Sequence, residues 1–455
     1  MNKILFSYFF LFTTLILGQN ENPEYSIYLI GDAGGVNNES LIINKLQDDL
    51  LEEDSNSAVV FLGDNIYPLG LPNNGDKTRK KGEHIIDIQL TKLKPFKGKT
   101  IVLPGNHDYA KGRKSGKEHV SNQEEYVNNL IGDSTFKPYN GCPDPVELHL
   151  NQNIVLIALD TEWPLYPYQN SSSLNDCECK TNDDMFLALQ DIVSRNYDKQ
   201  IIVVGHHPVY TYGNHGGKFT WKDHIFPLTA KLKGAYLPLP VIGSLYPISR
   251  QMGMNPQDIH HPKNNKMRDA FKEIFKLHPN LIYSSGHEHS LQYIAKDSVH
   301  YIVSGSGSKT SFVKKGKYAE FVASEKGYTK VNYFSSGRVE MVMYNAKGEL
   351  FKKELSSSKT KSIIKNLQKR EFPDSVIVSA SNDYKASKSK KAWFGENYRG
   401  EWNAPIKVPV FDILKMKGGL KIIQKGGGMA TLSLRLEDSL GHQYTLRTVD
   451  KNTTK

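Results

Sequence analysis

Cysteine is scarce in this chain: only Cys142, Cys177 and Cys179 occur in 455 residues. Cys177-x-Cys179 with no further cysteine nearby is a poor metal site, so these thiols are expected to be structural. In an oxidising compartment Cys142 can pair with either of the other two, leaving an odd thiol. Long apolar stretches are lacking beyond residue 17, so no later segment reads as a transmembrane helix. Acidic residues are in deficit, 48 against 58 Lys and Arg, which gives a net charge of +10 and a pI of about 9.1. That balance suits anionic substrates or surfaces, and it also suits ordinary solubility. No period of 20–50 residues recurs, which argues against a solenoid. The triplet Gly426-Gly427-Gly428 has no helix with Lys-Ser/Thr behind it and reads as a turn, not a phosphate cradle.

What is present points to an exported globular protein. Hydrophobic content of 38% and charged content of 23% fit a soluble domain. Residues 1–19 resemble a secretory signal: Lys3 supplies the positive start, Ile4 to Leu17 a short apolar run, and Gly18 a small residue at the cleavage point. An uncleaved anchor is the alternative. The expected location is periplasmic, cell-envelope associated or secreted.

From Tyr25 to about Tyr344, apolar β-rich runs (25–30, 58–62, 100–103, 154–159, 200–204, 281–283 and 299–303) alternate with amphipathic patterns near 39–53, 83–93, 121–131, 183–195 and 266–277. The alternation predicts an α/β or mixed-sheet catalytic domain over 20–344. Within it, residues 221–262 break the pattern as a Pro-punctuated apolar insertion. It is either a packed lid or a greasy surface for a lipid or partner. Residues 351–400 hold twelve Lys or Arg against five Asp or Glu. This suggests a basic linker over 345–374 and a small β-rich appendix over 375–455, with strand-like runs near 406–413, 420–424 and 430–436.

Five short motifs each follow an apolar run. They are Gly31-Asp32-Ala33-Gly34, Gly63-Asp64-Asn65-Ile66-Tyr67, Gly105-Asn106-His107-Asp108, Gly205-His206-His207-Pro208 and Gly286-His287-Glu288-His289. Ligands bind at the C-terminal edge of strands in open α/β sheets, and all five motifs fall there. Carboxylate and carbonyl oxygens suit hard cations, and imidazole suits Zn, Fe and Mn. Asp32, Asp64, Tyr67, Asn106, His206, His287 and His289 are therefore candidate metal ligands, with Asp64 able to bridge two ions. A glycine before most of them lets the backbone turn sharply at the strand end.

This set resembles the calcineurin-like metallophosphoesterase superfamily and, within it, the purple acid phosphatases of the small tartrate-resistant type, over about residues 25–340. The discriminating residue is Tyr67, since that branch uses a tyrosinate on ferric iron. The resemblance implies a sandwich of two mixed β-sheets flanked by helices. It also implies Asp32, Tyr67 and His289 on Fe(III), with Asn106, His206 and His287 on a divalent Fe, Zn or Mn. Asp64 would bridge the two. Two such ions clamp phosphate oxygens and lower the pKa of bound water, so that hydroxide attacks phosphorus in line with the leaving group. His107, and His215 in Gly213-Asn214-His215-Gly216, are the candidates for handling the leaving group or the phosphate. His207 is expected in a supporting role, and Asp108 either orients His107 or lies in a surface turn. Two features depart from the family pattern: Ala33 replaces an aromatic, and the insertion 221–262 is extra.

The expected activity is that of an acid phosphatase-like phosphomonoesterase. One alternative is a lipid or diester phosphoesterase selected by the insertion. Another is a cell-envelope binding or assembly module with secondary phosphatase activity. Envelope or membrane-surface contact would run through 221–262 or 345–455, and no nucleic-acid partner is expected.

Overall fold

The computed structural model describes residues 21–169, 177–230, 234–239 and 242–357, together with the backbone of four short strands further on. The signal-like residues 1–19 and most of 358–455 lie outside the described residues.

In chain order the first elements are β1 (Tyr25–Ile30), α1 (Leu41–Leu51), β2 (Ser57–Phe61), α2 (Arg79–Leu90), β3 (Lys99–Val102), α3 (Gly116–Ile131), β4 (Val146–His149), β5 (Ile154–Ala158), α4 (Asn182–Arg195) and β6 (Gln200–Val204). There follow α5 (Trp221–Ile225), α6 (Leu245–Gln251), α7 (Pro262–Phe275), β7 (Ile282–Ser285), β8 (Leu291–Lys296), β9 (Val299–Ser304), β10 (Ala319–Ala323), β11 (Tyr328–Tyr333), β12 (Val339–Asn345) and β13 (Gly348–Ser356). Beyond them β14 (Val376–Val378) pairs with β15 (Ile406–Val408), and β16 (Thr431–Glu437) with β17 (Gln443–Val449), both antiparallel.

Two mixed sheets form the domain. One runs β13-β12-β11-β1-β2-β3, and the other β10-β8-β9-β7-β6-β5-β4. In the first, β1, β2 and β3 are mutually parallel. In the second, β5, β6, β7 and β9 are parallel. Side chains alternate across a strand, and each strand serves two cores. In β1, Ile27 and Leu29 join Ile202, Val204, Ile282 and Ile302 of the other sheet in the layer between the sheets. Tyr28 and Ile30 face the opposite way, onto Ile43, Leu46 and Leu50 of α1 and Ile85 and Ile86 of α2. On the far side, Val155, Ile157, Ile201 and Val203 pack under Met185 and Leu189 of α4 and Phe271 and Phe275 of α7. The result is a helix–sheet–sheet–helix sandwich, the architecture that the family resemblance implies.

The first sheet continues past the 344 boundary read from sequence, because β13 pairs with β12 along its length. β13 is an edge strand carrying Glu349, Lys352, Lys353 and Glu354. Such charges mask the strand in the sequence while blunting the sheet edge. Cys142 pairs with Cys177, and Cys179 is buried outside that bond. Among the described residues, no helix is long and apolar enough to cross a membrane.

Candidate metal centre

The C-terminal ends of β1, β2, β3, β6 and β7 deliver the five motifs to one place. The sharp turns fall largely on the candidate ligands themselves. Asp32, Asp64 and His287 have φ of 58°, 55° and 68°. Such left-handed conformations cost on the order of 1–3 kcal/mol each and gather where function requires them. Gly63 is also left-handed at φ 87°, and a Cβ there would stand 2.7 Å from His206 Nδ1. Here only glycine fits.

The structure brings all seven candidate ligands together as two groups joined through Asp64. In one group, the Tyr67 hydroxyl donates to Asp32 Oδ1 at 3.0 Å and lies 3.2 Å from His289 Nε2. His289 Nε2 is 3.3 Å from Asp32 Oδ1. In the other, Asn106 Oδ1, His206 Nε2 and His287 Nδ1 are each 3.1 Å from one another. Asp64 Oδ1 lies 3.5 Å from His206 Nε2, and Asp32, Asp64 and His206 offer ligand atoms within 4.8 Å of one another.

Hydrogen bonds outside the cluster fix which ring nitrogens face in. His206 Nδ1 donates to the Leu62 carbonyl at 2.8 Å, which leaves the Nε2 lone pair pointing inward. His287 Nε2 donates to the Gln257 carbonyl at 2.9 Å, which leaves Nδ1 inward. Two imidazole lone pairs and an amide oxygen thus converge with no donor among them. Buried acceptors need a partner, and a cation supplies one. Asp32 and Asp64, both buried, add two carboxylates. This donor set fits two metal ions of the oxygen- and imidazole-binding kind.

Electrostatics agree with that fit. Burial alone would raise the Asp64 carboxyl, but the imidazoles of His206 and His107 and the His107 amide hold it below its ordinary value. Burial, with the charges of Asp32 and Asp64, pushes the Tyr67 phenol well above its usual range. Without a cation it stays protonated and donates to Asp32; a bound cation would reverse that balance. Burial, with neighbouring His215, His207 and His206, keeps His287 well below its usual value, hence neutral and able to ligate. For His289, burial works downward, but its bond to Asp32 and the charges of Asp32 and Asp64 prevail and raise it.

The two remaining candidates sit at the rim. His107 Nδ1 donates to the Pro68 carbonyl at 2.7 Å, turning Nε2 towards Asp64 Oδ2 at 3.8 Å. The His215 ring centroid is 3.9 Å from that of His287. Asp108 does neither of the things expected of it. It is fully buried and receives the backbone amides of Gly105, Asn65 and Ile66, bracing two ligand loops instead of His107. A carboxylate that fills its capacity with amides has none left for a ring. His207 turns inward beside the cluster, between Thr161 Oγ1 at 3.0 Å and Gln257 Oε1 at 2.7 Å. Burial first, then His206, depresses it to about 3.

Several residues of the site were not singled out from sequence. Glu288 accepts from Thr211 Oγ1 and from the amides of Asn214 and His215. Its position between the candidate ligands His287 and His289 was the available signal. The Lys309 ammonium stands 3.2 Å from the Tyr67 ring centroid. It lies beyond β9, at the same sheet edge as the motifs. Gln257 and Asp258 come from the insertion, where nothing in the local sequence marks them.

A family model described as calcineurin-like phosphoesterase matches residues 25–236. No curated protein sequence matches the chain. Among solved structures, similar ones include GAP50, the anchor in the inner membrane complex of Plasmodium, at 17% identity, covering 75% of this chain and 95% of that one. Another is the purple acid phosphatase PPD1 from yellow lupin (Lupinus luteus) seeds, at 10% identity over 72% of this chain and 52% of that one. A third is PhoD, at 10% identity over 77% and 78%. Their TM-scores of 0.44, 0.42 and 0.42 are too low to bear on activity. Residues 25–236 thus match the model of the calcineurin-like phosphoesterases, a family that binds two metal ions and acts on phosphate esters.

Proposed function

We propose that the chain is an exported phosphomonoesterase of the acid-phosphatase type, working with Fe(III) and a divalent Fe, Zn or Mn. The observation that carries this is the convergence of Asn106 Oδ1, His206 Nε2 and His287 Nδ1 at 3.1 Å beside the Asp32–Tyr67–His289 group. In this reading Asp32, Tyr67 and His289 hold the trivalent ion, Asn106, His206 and His287 the divalent one, and Asp64 spans both. The ions, when bound, clamp phosphate oxygens and supply hydroxide near or below neutral pH. His107 and His215 present ring nitrogens to the ester from the rim. The Cys142–Cys177 disulfide supports export, since such bonds persist in oxidising compartments.

Tyr67 separates the iron reading from other metals. Purified protein is expected to carry iron in the trivalent position and a visible tyrosinate-to-iron absorption, and to hydrolyse aryl phosphates best at acidic pH. Tyr67→Phe should abolish the colour while leaving the circular-dichroism spectrum intact. A colourless wild type binding only zinc or manganese would remove the iron assignment. A metal-replete protein inert to monoesters, diesters, pyrophosphate and phospholipids would remove the hydrolase reading.

A second reading concerns the substrate. The insertion exposes Trp221, Tyr236, Leu237, Ile242, Leu245, Met252 and Met254, each more than half accessible. So much exposed apolar surface in one segment marks an interaction site. It favours an amphiphilic phosphoester over a small soluble one.

A further inference from the structure

His215 is held by the insertion. Its Nδ1 lies 3.0 Å from Asp258 Oδ1, and Asp258 is fully buried. Arg250, at the end of α6, places Nε and Nη2 on the two oxygens of Asp258. A planar guanidinium on a carboxylate is a directional clamp. Arg250 Nη1 is itself tied to the Tyr246 hydroxyl at 2.7 Å. The His215 backbone is pinned at both ends: its amide donates to Glu288 Oε2 at 2.9 Å, and its carbonyl accepts from the Ile259 amide at 3.1 Å. The adjacent Gln257 carbonyl receives His287 Nε2. One short segment of the insertion therefore touches both the rim histidine and a residue of the cluster.

We infer that Asp258, clamped by Arg250, is a positioning residue that sets the tautomer and angle of His215 for the phosphate ester. Arg250 Nη2 also lies 3.0 Å from His215 Nδ1, but it already donates to Asp258 Oδ1; with both nitrogens sharing that oxygen, Nδ1–H is donated to Asp258 and Nε2 is the nitrogen left for the ester. A carboxylate on the outer nitrogen fixes a ring's tautomer and orientation, and losing such a partner typically costs about 10–100-fold in activity. The insertion is therefore part of the working site and not only a cover. This inference rests on the phosphoesterase reading above.

The test uses full-length, metal-replete protein and an aryl phosphate monoester. Asp258→Asn should lower kcat by about 10–100-fold, with KM changed no more than about threefold. His215→Ala should cost a similar factor, and the double variant should be no worse than His215→Ala alone. Arg250→Gln keeps the Asp258–His215 pair and should cost less, about 3–10-fold, again with no further loss in the His215→Ala background. This last variant serves if Asp258→Asn does not fold. A merely structural role would give losses that multiply, and that outcome overturns the inference. Side-chain NMR of histidine-labelled protein reads the geometry independently of turnover. Wild type should show His215 as the Nδ1–H tautomer, and Asp258→Asn should lose that preference. An unchanged tautomer defeats this inference even if the enzyme is active. A wild type with the expected tautomer but no turnover of any phosphate ester defeats the phosphoesterase reading instead.

Discussion

His300 shows at the residue scale what burial does away from the metal centre. It lies on β9 with Nδ1 2.9 Å from the Tyr293 hydroxyl and its ring stacked on that tyrosine. Burial, opposed by Glu320 and reinforced by Lys353, lowers its pKa from 6.5 to about 4. The folded protein therefore binds fewer protons here than the unfolded chain between about pH 4 and 6.5. His300 contributes stability that is present above the unfolded pKa and lost as pH falls through that window. On going from pH 7.5 to pH 5 the loss is about 2 kcal/mol. Asp160, raised by burial to about 6 against the bonds from Tyr109 and two backbone amides, titrates in an overlapping range with the opposite sign. The comparison with His300→Phe isolates the histidine. Urea unfolding of the two proteins should give stabilities whose difference shrinks towards pH 5, and parallel curves would refute the assignment. The same scale shows what was legible. The metal-ligand candidates stand in sequence as motifs, because each follows its own apolar strand. Asp108 was misjudged because a carboxylate beside a histidine looks like its partner, and only the fold reveals the three amides that claim it.

Among the elements, the strands buried on both faces were the most legible. β1, β2, β5 and β6 sit between two cores and read as near-continuous apolar runs. β11 and β12 alternate apolar with Lys330 and Glu340, and β13 is mostly polar, so antiparallel pairing alone places them. The loop carrying His215 was also opaque, because it takes its shape from a residue far along the chain. Gly213 lies against Glu288 so closely that a Cβ would come 2.2 Å from Glu288 Cδ. Glu288 is buried and bonded to Thr211, Asn214, His215 and Ser311, so it has nowhere to retreat. Gly213→Ala should therefore push the His215 loop outward. The expected cost is about 1–3 kcal/mol of stability, the usual penalty for overpacking. Because His215 moves with the loop, kcat should fall at least as far as it does in Asp258→Asn. Thermal unfolding and turnover of the same preparation measure both effects, and a variant with unchanged turnover would show that the loop can relax without moving its histidine.

For the whole molecule, the motifs mark a site but leave open what reaches it, and in the proposed reading the insertion governs that choice. Its sequence showed an apolar, Pro-punctuated stretch and left a packed lid or a greasy surface as alternatives. The structure divides the segment. Arg250, Gln257 and Asp258 turn inward to His215, His207 and His287. Leu245, Met252 and Met254 turn outward, 63%, 73% and 73% exposed. Burying one such side chain in a lipid interface is worth up to about 1.5–3 kcal/mol, so three of them shift membrane binding by at least tenfold. Replacing Leu245, Met252 and Met254 together by Ser should leave aryl phosphate turnover within about twofold, because none of the three belongs to the site. Hydrolysis of phosphatidate presented in vesicles should fall by at least about tenfold, with the loss in KM and not in kcat. Measuring both substrates on both proteins decides the matter. If the two activities fall together, the outward face supports the fold of the insertion; if neither falls, the outward face does not recruit the amphiphilic substrate and serves another contact.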